Sequence, residues 1–215
     1  LEMAIFGRHG ESPLPVLAPA TPGDCFDIVI DAARIAIEAM TPVIVLSDAY
    51  LANAISDWEM PTIDQLPQFE HRTAGNGVDP ITAFTRDPET LGRQWVAPGT
   101  PGLVHRVGGI EKDSVTGNIS YDPDNHQEMV RLRAEKISRV ANRNDRAMIQ
   151  EGAEEGDLLV VAWGSTYGPV RQAVRNLADA GHAVAHLHLR QLWPLPAGLE
   201  ALASVEATLT KKDRK

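Results

Sequence analysis

A chain of 215 residues, 43% of them apolar, is long enough for one or two buried cores. Its formal net charge of −9 excludes nucleic acid and anionic membrane surfaces as partners, since both select basic stripes and none is visible in the sequence. A single cysteine, Cys25, excludes an internal disulfide, a Cys-rich zinc site and an iron–sulfur cluster held by this chain alone.

No apolar run approaches the roughly 20 residues of a membrane span, and no secretion signal opens the chain. These features place the protein in the cytoplasm. The chain begins at Leu1 without a methionine and closes on the charged tail Lys211-Lys212-Asp213-Arg214-Lys215, which reads as a fragment or a truncated gene product.

Thr21-Pro22-Gly23-Asp24 marks a helix start, with Thr21 as N-cap, Pro22 at the first helical position and Asp24 in capping-box position. Phe26, Val29, Ile30, Ala33 and Ile37 repeat at helical spacing, so the helix runs to about Met40. Cys25 reads as a small apolar residue in that helix. Thr41-Pro42 ends it. Val43-Ile44-Val45-Leu46 is a short apolar run of the type buried on both faces of a sheet, with Asp48 just past its end.

From Ile55 to Asn125 the chain is rich in Pro and Gly, including Pro61, Pro67, Pro80, Pro88, Pro98, Gly108 and Gly109. It reads as a connector with short turns and a hairpin near Gly117, draped over neighbouring surfaces or joining two domains. A helix is predicted over 125–149, with Met129, Val130, Arg133, Ile137 and Val140 on one side and a solvated charged face opposite. A βαβ pattern follows. Leu158–Trp163 and Ala183–Leu189 are parallel strands joined by a right-handed crossover whose helix buries Val170, Val174 and Leu177 and ends at Gly181. A further helix starts at Pro194 and runs to Ala203.

Four constellations are candidates for chemistry. Arg8-His9-Gly10-Glu11 is the densest polar run. A guanidinium suits a substrate carboxylate, an imidazole can move a proton near neutral pH, and glycine admits close backbone approach; a loop with an ordinary surface salt bridge is the equal alternative. Asp48, Tyr50 and Asn53 lie at the carboxyl end of a predicted strand, where open α/β sheets bind ligands, although Asp48 also suits a loop cap. The loop Gly164-Ser165-Thr166-Tyr167-Gly168-Pro169 joins a strand to a helix and can present N–H groups to an anion, but a tight turn explains it more simply. His186 and His188 share one face of a strand beside His182, and a histidine pair near a strand edge or subunit interface explains them better than a metal. No H-E-x-x-H, EF-hand, P-loop or G-x-S-x-G motif is present, nor the Gly-Asp-Gly that opens a thiamine-diphosphate magnesium site.

Several separated blocks resemble one family. The run Phe6-Gly7-Arg8-His9-Gly10-Glu11-Ser12-Pro13 and the segments 15–26 and 41–53 are similar to the alpha subunit of 2-oxoacid:acceptor oxidoreductases. So are Gly108-Gly109-Ile110-Glu111, Ser120–His126 and Trp163-Gly164-Ser165-Thr166. The resemblance covers about Leu1 to Ser204 and is strongest to the 2-oxoglutarate:ferredoxin type.

The resemblance implies an enzyme that oxidatively decarboxylates a 2-oxoacid to an acyl-CoA and CO2. Thiamine diphosphate supplies the carbanion chemistry, and iron–sulfur clusters pass electrons to ferredoxin. It implies a beta subunit that brings the diphosphate and Mg2+ domain and a four-cysteine cluster, with coenzyme A and ferredoxin meeting the complex and no cofactor bound by this chain alone. The family's Tyr-Pro-Ile-Thr-Pro motif, its pyrimidine-activating glutamate and an Arg-Gly-Gly-Pro-Ser-Thr segment fall upstream of Leu1, and Glu206 to Lys215 does not match it.

The expected fold is α/β: the end of a thiamine-pyrimidine-type domain at 1–54, a connector with a long helix at 55–155, and a transketolase-C-terminal-like βαβ domain at 156–215. Arg8, His9 and Glu11 are expected nearest the site as loop contributors, followed by Asp48 and Asn53. The alternative is a non-catalytic assembly module whose connector, with Trp58 and Trp95, covers a partner.

Overall fold

The computed structural model describes residues 1–69, 73–74, 83–199 and 202. The short helix α1 (Glu2–Phe6) leads through a loop to β1 (Val16–Leu17), α2 (Asp24–Glu38), β2 (Ile44–Val45) and α3 (Ala49–Asn53). An irregular stretch reaches α4 (Pro123–Ser138), and β3 (Met148–Gly152), β4 (Leu158–Trp163), α5 (Tyr167–Asp179), β5 (Val184–Leu189) and β6 (Gln191–Trp193) follow. The chain is mixed α/β, with two three-stranded sheets among the described residues, ordered β2-β1-β6 and β3-β5-β4. β1 runs parallel to β2 and antiparallel to β6, while β5 runs parallel to β4 and antiparallel to β3.

β1 is the pivot of the first sheet. Side chains alternate across a strand. Val16 and Ala18 therefore enter a core with Leu187, Leu189 and Leu192, while Leu17 enters a second core with Ile28, Ala32, Ile35 and Val140. The Val43–Leu46 run alternates between the same two cores but stays half-buried, because β2 lies at a sheet edge among the described residues. The fully buried strand of this sheet is β1, which its flanking prolines conceal in the sequence.

The predicted capping bonds form ahead of the helix rather than at its start, since α2 begins at Asp24 with Gly23 as its N-cap and no side-chain cap bond. The Asp24 N–H donates to Thr21 Oγ1 at 3.1 Å, and the Asp24 carboxylate accepts from the Ala20 N–H at 2.8 Å. The helix buries Ile28, Ala32 and Ile35 rather than the expected row through Phe26, Val29, Ile30, Ala33 and Ile37, and Val29 is 56% exposed. Apolar residues occur on both sides of this helix, so periodicity alone cannot choose the row that meets β1.

Among its described residues the connector has one short 3-10 turn, Ile63–Gln65, and isolated bridges at Arg86–Arg93 and Lys112–Ile119. Its turn near Gly117 is real: Gly117 sits at φ +74°, its N–H donates to the Asp113 carbonyl at 3.1 Å, and the Phe84 ring fills the place a Cβ would take. The segment lies against both long helices. Trp95 Nε1 donates to the Ile37 carbonyl at 3.0 Å, and Arg139 Nη1 to the Pro88 carbonyl at 2.6 Å. Pro80 lies outside the described residues.

Asp122 caps α4 by accepting from the Asp124 and Asn125 N–H groups, with Pro123 opening the helix. The helix ends at Ser138, well short of the expected Ile149. Met148–Gly152 forms β3 instead, because it can pair along its whole length with β5, and sheet pairing overrides local helical preference. β4 falls on its predicted residues but occupies a sheet edge, leaving Leu158 and Val161 half exposed. β5 is buried throughout, and Val174 is the buried residue of α5, whereas Leu177 is exposed. β6 is a strand the sequence does not announce. The helix expected from Pro194 does not start there: Pro194–Gly198 form a bend and a turn, Leu199 and Leu202 are helical, and Glu200, Ala201 and 203–215, including Ser204 and the charged tail, lie outside the described residues.

Arg190 stands where β5 passes into β6 and is 3% exposed. Its Nε and Nη2 fork onto the Asp24 carboxylate at 2.9 and 2.5 Å, and its Nη1 donates to the Arg146 carbonyl at 2.6 Å and lies 3.4 Å from Asp31 Oδ2. Arg146 reaches the other oxygen of Asp31 at 2.7 Å. Removing one partner of a buried pair strands the other charge. Arg190→Met is expected to lower the unfolding free energy by roughly 3–5 kcal/mol in urea denaturation, and a loss below about 1 kcal/mol would contradict the assignment.

Candidate functional site

The Arg8–Glu11 run is a loop stapled by its own arginine. Arg8 Nη1, Nη2 and Nε donate to the carbonyls of Ala4, Ile5 and Ser12 at 2.5, 2.9 and 2.8 Å. A guanidinium has five N–H groups, so two remain for a ligand. Gly10 takes φ +83°, which turns the loop and leaves His9 and Glu11 exposed at its tip. On one side the loop walls a hollow of about 220 Å³ with Ile5, Phe6, Ser12 and Trp193, and the Phe6 and Trp193 rings meet edge to face at 6.0 Å.

Asp48 unites two candidates that lie far apart in sequence. Its Oδ1 accepts from the Leu51 N–H at 3.0 Å, capping α3, and its Oδ2 accepts from the Ser165 N–H at 3.2 Å. These bonds hold its carboxyl below the usual carboxylate range, the Leu51 N–H being the largest cause. The anion facing the Gly164–Pro169 loop is therefore Asp48 itself. Gly164 at φ +66° keeps that loop tight, and a Cβ there would stand 3.6 Å from Asp48 Oδ2. Asn53 Nδ2 donates to the Ala49 carbonyl at 2.7 Å within α3, and Tyr50 is exposed.

His186 and His188 are fully buried on the central strand β5, not near a strand edge. Their rings lie 5.4 Å apart, and Tyr167 packs on them at 5.7 and 5.0 Å. Burial first, then His186, pushes His188 down to about 4; burial also lowers His186. Glu151 is the acid nearby, but the Tyr167 hydroxyl donates to it at 3.2 Å and Arg171 pairs with it at 2.8 Å. His182 is exposed at the end of α5. Among the described residues no group of three or more His, Cys, Asp or Glu side chains could hold a metal ion. Cys25 donates weakly to the Thr21 carbonyl at 3.6 Å; burial, then Asp24 and Asp48, pushes its thiol up, which disfavours the reactive thiolate.

Across the Glu11–Ser12 rim lies a larger cleft of about 420 Å³ that sequence reasoning misses. Arg86, Arg93, Lys112, Arg133 and Lys136 line it against two carboxylates, Glu11 and Glu111. Lys136 belongs to the charged side of α4, expected to be a solvated face, and Arg133 to the side expected to carry the apolar row; the connector covers both. Arg131, which pairs with Glu128 and Glu135, remains on the open side. Desolvation, followed by Arg86, Arg93 and Arg133, pushes the Lys136 ammonium down to about 8. The one legible signal was Arg133 and Lys136 three residues apart on one helix.

The model of the family described as pyruvate flavodoxin/ferredoxin oxidoreductase, thiamine diP-binding, matches residues 3–121. This chain belongs to that family. It is 46% identical over 199 residues to the 2-oxoglutarate oxidoreductase subunit KorA of Mycobacterium tuberculosis, covering 93% of this chain and 30% of the relative. It is 31% identical to subunit alpha of 2-oxoacid:ferredoxin oxidoreductase 1 of Aeropyrum pernix, covering 91% of this chain and 30% of that one. The 2-oxoglutarate:ferredoxin oxidoreductase from Magnetococcus marinus, solved with 2-oxoglutarate, coenzyme A and succinyl-CoA bound, superposes with a TM-score of 0.82 at 33% identity, over 95% of this chain and 36% of that one. The chain thus spans about a third of the length of these relatives. No helix among the described residues is long and apolar enough to cross a membrane.

In the strand-to-helix loop the Ser165 N–H is taken by Asp48 and is not offered to another anion. The cleft lysine has a pH signature. Its folded value of about 8 lies below the ordinary 10.5, so between those values the unfolded chain holds a proton that the folded chain has lost. Stability from this residue therefore rises with pH across that window and is lowest below it. Lys136→Met is expected to stabilise the protein more at pH 7 than at pH 10 in paired urea titrations. An equal effect at both values would contradict the buried ammonium.

Proposed function

We propose that this chain is part of the alpha subunit of a cytoplasmic, thiamine-diphosphate-dependent 2-oxoacid:ferredoxin oxidoreductase, with 2-oxoglutarate as the 2-oxoacid and acyl-CoA and CO2 as products. The observation that carries the reading is the family match over residues 3–121, joined to relatives named for 2-oxoglutarate or 2-oxoacid oxidation. Thiamine diphosphate supplies the decarboxylation chemistry when bound, and iron–sulfur clusters carry the electrons to ferredoxin. A beta subunit brings Mg2+, the diphosphate site and the cluster, and no cofactor is held by this chain alone.

The chain's own residues act on the substrate side. Arg8 keeps two donors free of its backbone staple, enough to fork onto one carboxylate of a 2-oxoacid. His9 and Glu11 sit exposed beside it on the same loop. Asp48 acts by positioning, tying α3 to the Gly164 loop, and Asn53 secures α3.

A second reading is favoured by the exposed apolar side chains of the connector. Ile55, Trp58, Met60, Ile63, Val104 and Val107 are all solvent-facing in the isolated chain, a composition suited to covering a partner. The two readings separate in the native complex. With Arg8→Ala the proposal expects kcat/KM for 2-oxoglutarate to fall roughly tenfold to hundredfold, the scale of a lost hydrogen bond to a charged group, while assembly is retained. Unchanged turnover in Arg8→Ala and His9→Ala, with assembly lost in Trp58→Ser, would instead favour the interface role.

A further inference from the structure

The cleft beyond Glu11 collects cations in a chain that is acidic as a whole. Its neighbours on α4 and at its C-cap show the ordinary arrangement: Arg131, on the open side, is paired with Glu128 and Glu135, and Arg139 with Glu135. Inside the cleft the pattern differs. The Nε atoms of Arg86 and Arg133 are buried with no hydrogen-bond partner among the described residues. Arg86 donates through Nη1 to the Leu91 carbonyl at 3.2 Å and through Nη2 to Met129 sulfur at 3.9 Å, which leaves one N–H on each of these nitrogens. Arg93 lies over the Phe84 ring at 4.7 Å, a contact that leaves the guanidinium edge open. Lys136 donates to the Met40 carbonyl at 3.1 Å and Lys112 to the carbonyls of Gly108 and Ile110. Glu111 is already shared between Arg133 at 2.9 Å and His126 at 2.6 Å.

Gathering like charges in a half-buried hollow is unfavourable unless something of opposite charge occupies it. Five cations against two carboxylates leave a surplus that a single carboxylate would not neutralise. The geometry asks for a group with more than one negative charge, and guanidinium forks match phosphate oxygens two at a time. The volume, about 420 Å³, falls within the range of small-molecule sites, roughly 300–1,000 Å³. Phe84, Met129, Val107 and Ile110 add apolar wall beside the cations, so the occupant has an organic part as well as an anionic one.

We propose that this cleft is a binding site for a small organic molecule bearing a phosphate or diphosphate group, held by Arg86, Arg93, Arg133 and Lys136. The proposal does not depend on the catalytic reading above, because binding can be measured without turnover.

The test uses the native protein, purified with its partners, and inorganic pyrophosphate as the probe in isothermal titration calorimetry. Saturable binding is expected, weakening as salt is raised. Arg93→Gln and Lys136→Gln should each weaken it roughly tenfold or more, the scale of one charge-assisted contact. Arg131→Gln, on the outer face, should leave it unchanged. Should either cleft variant fail to fold, Lys112→Gln at the rim remains available and should weaken binding by a few-fold. A second arm replaces pyrophosphate with coenzyme A. Competition between the two identifies the phosphates of that molecule as the occupant, while pyrophosphate binding without competition assigns the cleft to a different organic phosphate. Absence of saturable binding overturns the proposal, as does an equal loss in Arg131→Gln, or a partner-subunit carboxylate found seated on Arg93 in the native complex.

Discussion

The Arg190 guanidinium carries a full charge into a place with almost no water. It can do so because Asp24 meets it as a fork and Asp31, shared with Arg146, lies behind. Arg190 is also the residue at which β5 of one sheet becomes β6 of the other, so the pairing of both sheets converges on a single ion network. Because Asp24 and Asp31 both lie on α2, the same network fixes that helix against β1. β1 in turn anchors the loop that carries Arg8, His9 and Glu11. A buried pair of this kind is a weak source of net stability and a strong determinant of arrangement: hydrophobic replacement of the whole network can be tolerated, but loss of one member strands the rest.

The same accounting, applied to the surface, explains why net charge is a poor guide to local chemistry. A value of −9 argues against polyanion binding for the chain as a whole. The connector and α4 nevertheless bring five basic side chains into one hollow. Acidic residues are spent elsewhere, on the outer face of α4 and in the Arg190 network. The Glu11–Ser12 rim separates this basic hollow from the smaller one beside Arg8, so two clefts of different character share one loop.

Local signals were legible wherever a residue's role is decided by its immediate neighbours. The Thr21–Asp24 bonds, the turn at Gly117 and the stop at Gly181 are of this kind, each set by backbone chemistry within a few residues. What could not be read depends on distant partners. The buried row of α2 is chosen by β1. β3 forms because β5 offers a free edge, although its residues look like the end of a helix. Asp48 and the Gly164 loop were each visible as candidates, but nothing in the sequence joins a carboxylate to an N–H group that folding brings from far along the chain. The basic cleft was hidden for the same reason, with Arg86 and Arg93 in an irregular segment and Arg133 and Lys136 on opposite expected faces of one helix. The Arg8–Glu11 run read by spacing alone divides evenly between a site and a surface loop.

The central claim is that the Arg8–Ser12 loop, held in place through β1 and the Arg190 network, forms part of a 2-oxoacid site completed by a partner subunit. Its most direct test is a cryo-electron microscopy structure of the native complex with thiamine diphosphate and 2-oxoglutarate bound. The account predicts a substrate carboxylate on the two unused donors of Arg8, with the loop's backbone staple intact. A 2-oxoglutarate molecule bound elsewhere, with the loop facing solvent or buried against a structural part of the partner, would contradict it.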